Sequence, residues 1–174
     1  MIEDQKKNVA VMKLVMLFMT PFAVGLVLMG LAFGRPGPEI SALAVAIVLA
    51  TSLGNLYAVH LLSRYPSRAL VIRNARVGFN YAFNLWLIFI LLPTWKPIWM
   101  LFLLTIIAVA VYEDRQATVV HAALFTFMLF YAAFKLDLLK GVFFGELAME
   151  AATIWFVGLF LNRLTEIETA PPSK

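Results

Sequence analysis

The sequence predicts an all-α integral membrane protein, a bundle of about six transmembrane helices with both termini in the cytoplasm. Of its 174 residues, 63% are hydrophobic and 14% are charged, and the mean hydropathy is +0.89. A soluble domain is usually about half apolar and about a quarter charged. This composition excludes an ordinary water-soluble globule and a disordered chain. Cysteine is absent, which excludes disulfide scaffolds, thiolate metal sites and cysteine nucleophiles.

Six apolar segments are candidate spans, of which the third and fourth are shorter than the about 20 residues with which a helix crosses a bilayer. The predicted spans are residues 9–33, 40–62, 77–92, 97–112, 117–134 and 138–161. Pro93 and Pro97 predict a break between the third and fourth spans, because each proline removes a backbone donor and disfavours helix just before it. The connections are too short to fold alone, so we expect a single transmembrane domain over residues 1–174.

The distribution of lysine and arginine predicts the orientation. With six spans, the side that holds both termini carries most of these residues, which is the pattern of cytoplasmic loops, and we expect the cell (inner) membrane. The connection SRYPSRALVIRNAR contains no acid, and its apolar middle is typical of a segment that lies on the lipid surface. Its arginines are expected to bind lipid head groups: Arg64, Arg68, Arg73 and Arg76.

Small residues recur every four positions along the second span. This spacing keeps them on one helix face, which another helix can approach closely. The expected helix-packing residues are Ala42, Ala46, Ala50, Gly54 and Ala58 in the second span, with Gly141 and Gly145 near the start of the sixth. Two interpretations stay open: these ridges hold the bundle together, or one of them meets a partner protein.

Polar side chains inside the predicted spans are the candidate functional residues, because they are costly in lipid. Glu150 lies close to the middle of the sixth span, and Glu146 lies one turn nearer the outside. Asn80 and Asn84 share a face of the third span, and His121 begins the fifth. These five residues could form an ion or proton pathway. The alternative is a structural role, in which neutral carboxyl and amide groups form hydrogen bonds between helices.

Sequence motifs for catalysis are missing. The chain has no GxSxG, HExxH, P-loop or GxGxxG motif, which favours a protein that is not an enzyme. We expect no metal and no cofactor, with one alternative: His60 and His121 could hold a haem as its two axial ligands. The basic residues form no patch with interleaved aromatics, so we expect no nucleic-acid partner.

The small-residue ridges, short connections and missing catalytic motifs together predict a non-catalytic subunit or assembly factor of a larger membrane complex. Its expected partners are the lipid bilayer and either other membrane subunits or further copies of the same chain. A first alternative is a small proton- or cation-coupled carrier or channel that uses the midplane carboxylate. A second is a haem-bearing membrane redox subunit.

Overall fold

The computed structural model describes residues 2–169, with the side chains of residues 18–165 except 112, and of residue 167. Within this range the chain forms six α-helices and two short 3₁₀ helices and contains no β-strand. The α-helices are α1 (Ile2–Gly34), α2 (Pro38–Arg64), α3 (Ala69–Leu91), α4 (Met100–Tyr112), α5 (Arg115–Lys135) and α6 (Val142–Thr169). The 3₁₀ helices are Pro66–Arg68 and Lys96–Trp99.

Three helices in the described range are long and apolar enough to cross a membrane: Pro38–Arg64, Arg115–Lys135 and Val142–Thr165. Two shorter apolar stretches, Phe18–Gly34 and Lys96–Val111, accompany them. The all-helical class predicted from the sequence is confirmed, and the apolar helices support a helical membrane protein. The chain ends, residue 1 and residues 170–174, lie outside the described range, as do the side chains of the first part of the predicted span 9–33.

The break between α3 and α4 lies at the two prolines. α3 ends at Leu91, whose carbonyl oxygen accepts from the backbone N–H groups of Thr94 at 3.0 Å and Trp95 at 2.7 Å. Pro93 stands in this turn and has no N–H to continue the helix. Pro97 lies in the 3₁₀ helix that follows, and α4 begins only at Met100.

Two of the helix starts that differ from the predicted spans have a local explanation. α3 begins at Ala69 rather than at residue 77, because its first turns contain arginines, which favour helix although they are not apolar. α6 begins at Val142 rather than at residue 138. Asp137 and Gly141 just before it have positive φ angles of 54° and 55°, a left-handed conformation that a helix does not continue through.

The chain divides into two compact units. The first, Met1–Ile98, contains α1, α2 and α3, in which α2 packs against both neighbours. The buried side of α2 is formed by residues three, four or eight apart, which places them on one helix face. These residues are Ala44, Ile47, Asn55, Ala58 and Leu62. All are apolar except Asn55, which faces α3.

The second unit, Trp99–Lys174, contains α4, α5 and α6, in which α6 packs against both α4 and α5. Phe102 and Phe125 are fully buried and stack with their ring centroids 4.9 Å apart. Gly158 allows α6 to approach α4, because a Cβ at this position would lie 2.8 Å from Ile106 Cγ1. In lipid, the hydrophobic effect does not drive helices together, so they associate through close van der Waals packing at small residues.

Candidate functional site

Asn55 is the centre of a polar cluster in the first unit. Its side chain is only 7% exposed, and its Oδ1 atom accepts two hydrogen bonds from α3. Arg76 Nε donates at 2.9 Å and Asn80 Nδ2 donates at 3.2 Å. Arg76 and Asn80 are four residues apart and therefore lie on the same side of α3. One amide oxygen on α2 thus binds two donors on successive turns of α3.

The hydrogen bond from Arg76 is charge-assisted, and such bonds are about twice as strong as neutral ones. The acceptor is a neutral amide oxygen, and the sequence has no Asp or Glu between Glu39 and Glu113. Asn80 belongs to the predicted ion pathway, and the structure gives it a helix–helix contact instead of an isolated position. Asn84, one turn further along α3, is half-buried and also has an interaction partner.

The four arginines predicted to bind lipid head groups occupy different environments. Arg64 and Arg68 are exposed at the end of α2 and in the 3₁₀ helix that follows. Arg73 is half-buried, with a buried Nε atom. Arg76 is half-buried and directs Nε towards Asn55. The structure therefore separates two exposed cations from two half-buried ones, of which Arg76 forms a hydrogen bond to the neighbouring helix.

Glu146 and Glu150 lie four residues apart on α6 and are both half-buried, and Glu150 Oε2 is fully buried. They flank the buried side of α6, which includes Leu147 and Ile154. With a rise of 1.5 Å per residue, Glu150 lies about 5 Å from the centre of the candidate span Val142–Thr165, and Glu146 about 11 Å. Both carboxyl groups therefore lie within the predicted hydrocarbon depth, which extends about 15 Å from the centre.

Asn162 forms a buried polar contact in the second unit, and sequence reasoning missed it. The residue is 2% exposed, and its Nδ2 donates to the carbonyl oxygens of Glu113 at 2.9 Å and Ala110 at 3.3 Å. These oxygens lie at the end of α4, where the last carbonyls of a helix have no partner within it. Thr165 Oγ1 donates to the Ala110 oxygen as well, at 3.4 Å.

Two further polar contacts organise α5. Asp114 caps its start, because a side-chain oxygen accepts from the backbone N–H of Ala117 at 2.8 Å. In the middle of the helix, Thr126 Oγ1 accepts from Trp155 Nε1 of α6 at 3.1 Å. The sequence does show one property that these contacts share. Each involves a hydrogen-bonding side chain inside an apolar segment, where such a group requires a partner: Asn55, Asn162 and Trp155.

Each compact unit contains one of the two histidines. His60 is exposed on α2, and His121 is half-buried on α5, where its ring stacks on Phe125 with centroids 6.4 Å apart. A haem would need both histidines as axial ligands, and they belong to different compact units. Haem binding by His60 and His121 therefore stays a prediction. In the described part of the chain, no group of three or more His, Cys, Asp or Glu side chains could hold a metal ion.

The small-residue ridge of α2 divides into two parts. Gly54 and Ala58 are covered: a Cβ at Gly54 would lie 2.7 Å from Phe79 Cε1, and Ala58 is buried. The other three residues of the ridge are exposed: Ala42, Ala46 and Ala50. On α6, Gly145 is exposed, and a Cβ added there would meet no described atom within 4 Å. The same holds for Gly141, in the turn before the helix.

Comparison with protein families, with curated proteins and with solved structures finds no match to this chain. The fold and its polar contacts define a helical membrane protein, and its function is argued below from its own residues.

Proposed function

We propose that this protein is a small, non-catalytic subunit or assembly factor of a larger membrane complex. The observation that carries this proposal is the exposed half of the α2 ridge, formed by Ala42, Ala46 and Ala50. The same ridge packs closely against α3 where Gly54 meets the ring of Phe79. Its continuation offers another helix the same smooth surface, and close packing at small residues drives helix association in lipid.

The polar residues of the spans support a structural role. Asn80 donates to Asn55, and Asn162 donates to carbonyl oxygens at the end of α4. Each of these contacts joins two helices and satisfies groups that would otherwise be costly in lipid. A subunit needs such contacts to hold its own helices together, whereas a polar path for ions needs groups that can exchange their partners.

The proposal includes six spans with both termini in the cytoplasm of a cell (inner) membrane. α3 is not among the three candidate spans, and it carries four polar side chains: Arg73, Arg76, Asn80 and Asn84. The hydrogen bonds to Asn55 support its place in the membrane, because they satisfy two of these side chains on the protein side. The exposed Arg64 and Arg68 support a cytoplasmic α2–α3 connection, by the excess of positive charge on that side.

Co-purification from the native membrane in a mild detergent tests this proposal. We expect the wild-type chain to migrate with at least one partner, or with further copies of itself. Ala46→Phe should reduce the recovered partner at least tenfold, because a large ring on the ridge prevents close approach. Val45→Phe is the matched control, since Val45 is also exposed but points about 100° away around the helix. Migration of the wild type as a lone 19.5 kDa chain would contradict the proposal.

A second candidate function is a small proton- or cation-coupled carrier or channel. The observation that favours it is Glu150, whose Oε2 atom is buried about 5 Å from the centre of a candidate span. Ionisable groups at this depth are expensive and are often functional. Flux into liposomes should then fall for Glu150→Gln and change less for Glu146→Gln, which lies nearer the span end. Equal flux in wild type and Glu150→Gln would remove this carboxyl from any transport mechanism.

A further inference from the structure

The connection between α2 and α3 concentrates exposed positive charge. Arg64 is the last residue of α2, and Arg68 ends the 3₁₀ helix Pro66–Arg68. The Arg68 backbone N–H donates to the Tyr65 oxygen at 3.0 Å, which closes the turn between the two arginines. The Arg64 guanidinium also lies over the Tyr65 ring, with its Cζ atom 6.0 Å from the ring centroid. The turn therefore presents two cations from a fixed backbone.

Within the first unit, no described acidic side chain lies near this charge. In the described part of the first unit, Glu39 is the only acidic side chain, and it lies in the first turn of α2. The distance along α2 from Glu39 to Arg64 is about 38 Å at 1.5 Å per residue. Charges interact weakly in salt solution beyond about 10 Å. Among the described residues, neither Arg64 nor Arg68 forms an ion pair.

Exposed apolar side chains stand directly beside these arginines. Leu70 and Val71, in the first turn of α3, are 61% and 68% exposed, although aliphatic side chains of this size are usually buried in water-soluble folds. A segment that combines exposed cations with exposed apolar groups is typical of the boundary between lipid head groups and acyl chains. The apolar pair fits the acyl region, and the arginines fit the phosphate level above it.

We propose that this corner of the protein binds the phosphate group of an anionic phospholipid. Arg64 and Arg68 supply the charge and the donors, and Leu70 and Val71 lie among the acyl chains. The two positive charges favour a lipid with a net negative charge over phosphatidylcholine, in which the choline group neutralises the phosphate. Arg76 differs from these two arginines, because it is half-buried and its Nε donates to Asn55. The site does not depend on whether the protein is a subunit or a carrier.

Native mass spectrometry of the full chain in detergent tests this proposal. Phosphatidylglycerol and phosphatidylcholine with the same acyl chains are titrated separately, and the dissociation constant of the first bound lipid is measured. We expect tighter binding of phosphatidylglycerol to the wild type. Each replacement, Arg64→Gln or Arg68→Gln, should reduce that preference about fivefold, the effect of one basic residue near an anionic lipid surface.

The matched control is the double variant Arg35→Gln/Lys96→Gln, which removes two exposed positive charges from other connections of the same unit. It should keep the wild-type preference, and so should Arg64→Lys/Arg68→Lys, which retains both positive charges. Far-UV circular dichroism verifies that every variant is folded.

Three results would overturn the assignment. The first is equal affinity of the wild type for the two lipids. The second is an equal loss of preference in the Arg35/Lys96 control. The third is binding of inorganic phosphate as tight as that of phosphatidylglycerol, which would show a site for the free anion instead of a lipid.

Discussion

Replacing Asn55 by leucine removes the oxygen that joins α2 to α3. The variant leaves Arg76 Nε and Asn80 Nδ2 without this acceptor, although the leucine side chain has a similar size. Hydrogen bonds between membrane helices contribute about 0.6 kcal/mol on average, and bonds to charged groups contribute about 1.5–3 kcal/mol. The sum of one neutral and one charge-assisted bond predicts a loss of about 2–3.5 kcal/mol in the free energy of unfolding.

The assay is unfolding of the full chain by SDS in mixed micelles, followed by circular dichroism. Asn55→Asp should keep most of the stability, because its carboxylate still accepts from Arg76 and Asn80. The matched control is Asn74→Leu, an exposed asparagine on α3 that should change stability by less than about 0.5 kcal/mol. If Asn55→Leu unfolded within 0.5 kcal/mol of the wild type, the view that this cluster holds α2 against α3 would be refuted.

Three further predictions concern the second unit and use the same unfolding assay. Gly158→Ala should lose about 1–3 kcal/mol, because its Cβ would lie 2.8 Å from Ile106 Cγ1. Gly145→Ala, where the space is open, should be neutral or gain up to about 1 kcal/mol; equal losses in both variants would contradict the tight contact. Asn162→Ala should lose about 1–3 kcal/mol by removing the donor at the end of α4, and unchanged stability would exclude that cap as a stabilising contact. Trp155→Phe should lose about 0.6 kcal/mol, and a double-mutant cycle with Thr126→Val should show coupling of that size rather than additive losses.

The two polar clusters stabilise their units by a common physical principle. In lipid, no water is present to satisfy a side-chain amide, so it must find its partner on a neighbouring helix. Asn55 does so with side chains of α3, and Asn162 does so with backbone oxygens at the end of α4. Each asparagine therefore limits how far its helix can rotate or slide without losing a hydrogen bond.

The division of the α2 ridge shows why a small-residue pattern alone leaves its partner open. Four-residue spacing is continuous from Ala42 to Ala58, yet only Gly54 and Ala58 meet α3 or lie buried. Ala46 and Ala50 lie on the same face, further towards the start of the helix, and are exposed. The pattern indicates a surface suited to close approach, and the tertiary structure decides how much of it the chain itself covers.

The sequence by itself determined the helical class, the membrane character and the break at Pro93 and Pro97. These properties depend on sums of local terms: the transfer of apolar residues from water, and the backbone donors that proline lacks. It also indicated that Asn80 needs a partner, because an isolated amide is costly in lipid whatever surrounds it.

Only the tertiary structure identified Asn55 as that partner and separated the exposed Arg64 and Arg68 from the inward-directed Arg76. It also placed Asn162 at the end of α4. These outcomes depend on which helices are neighbours and on how each is rotated about its axis, and residues far apart in the chain fix both. A periodic pattern shows that a helix has a particular face, whereas only packing against another helix determines what that face contacts.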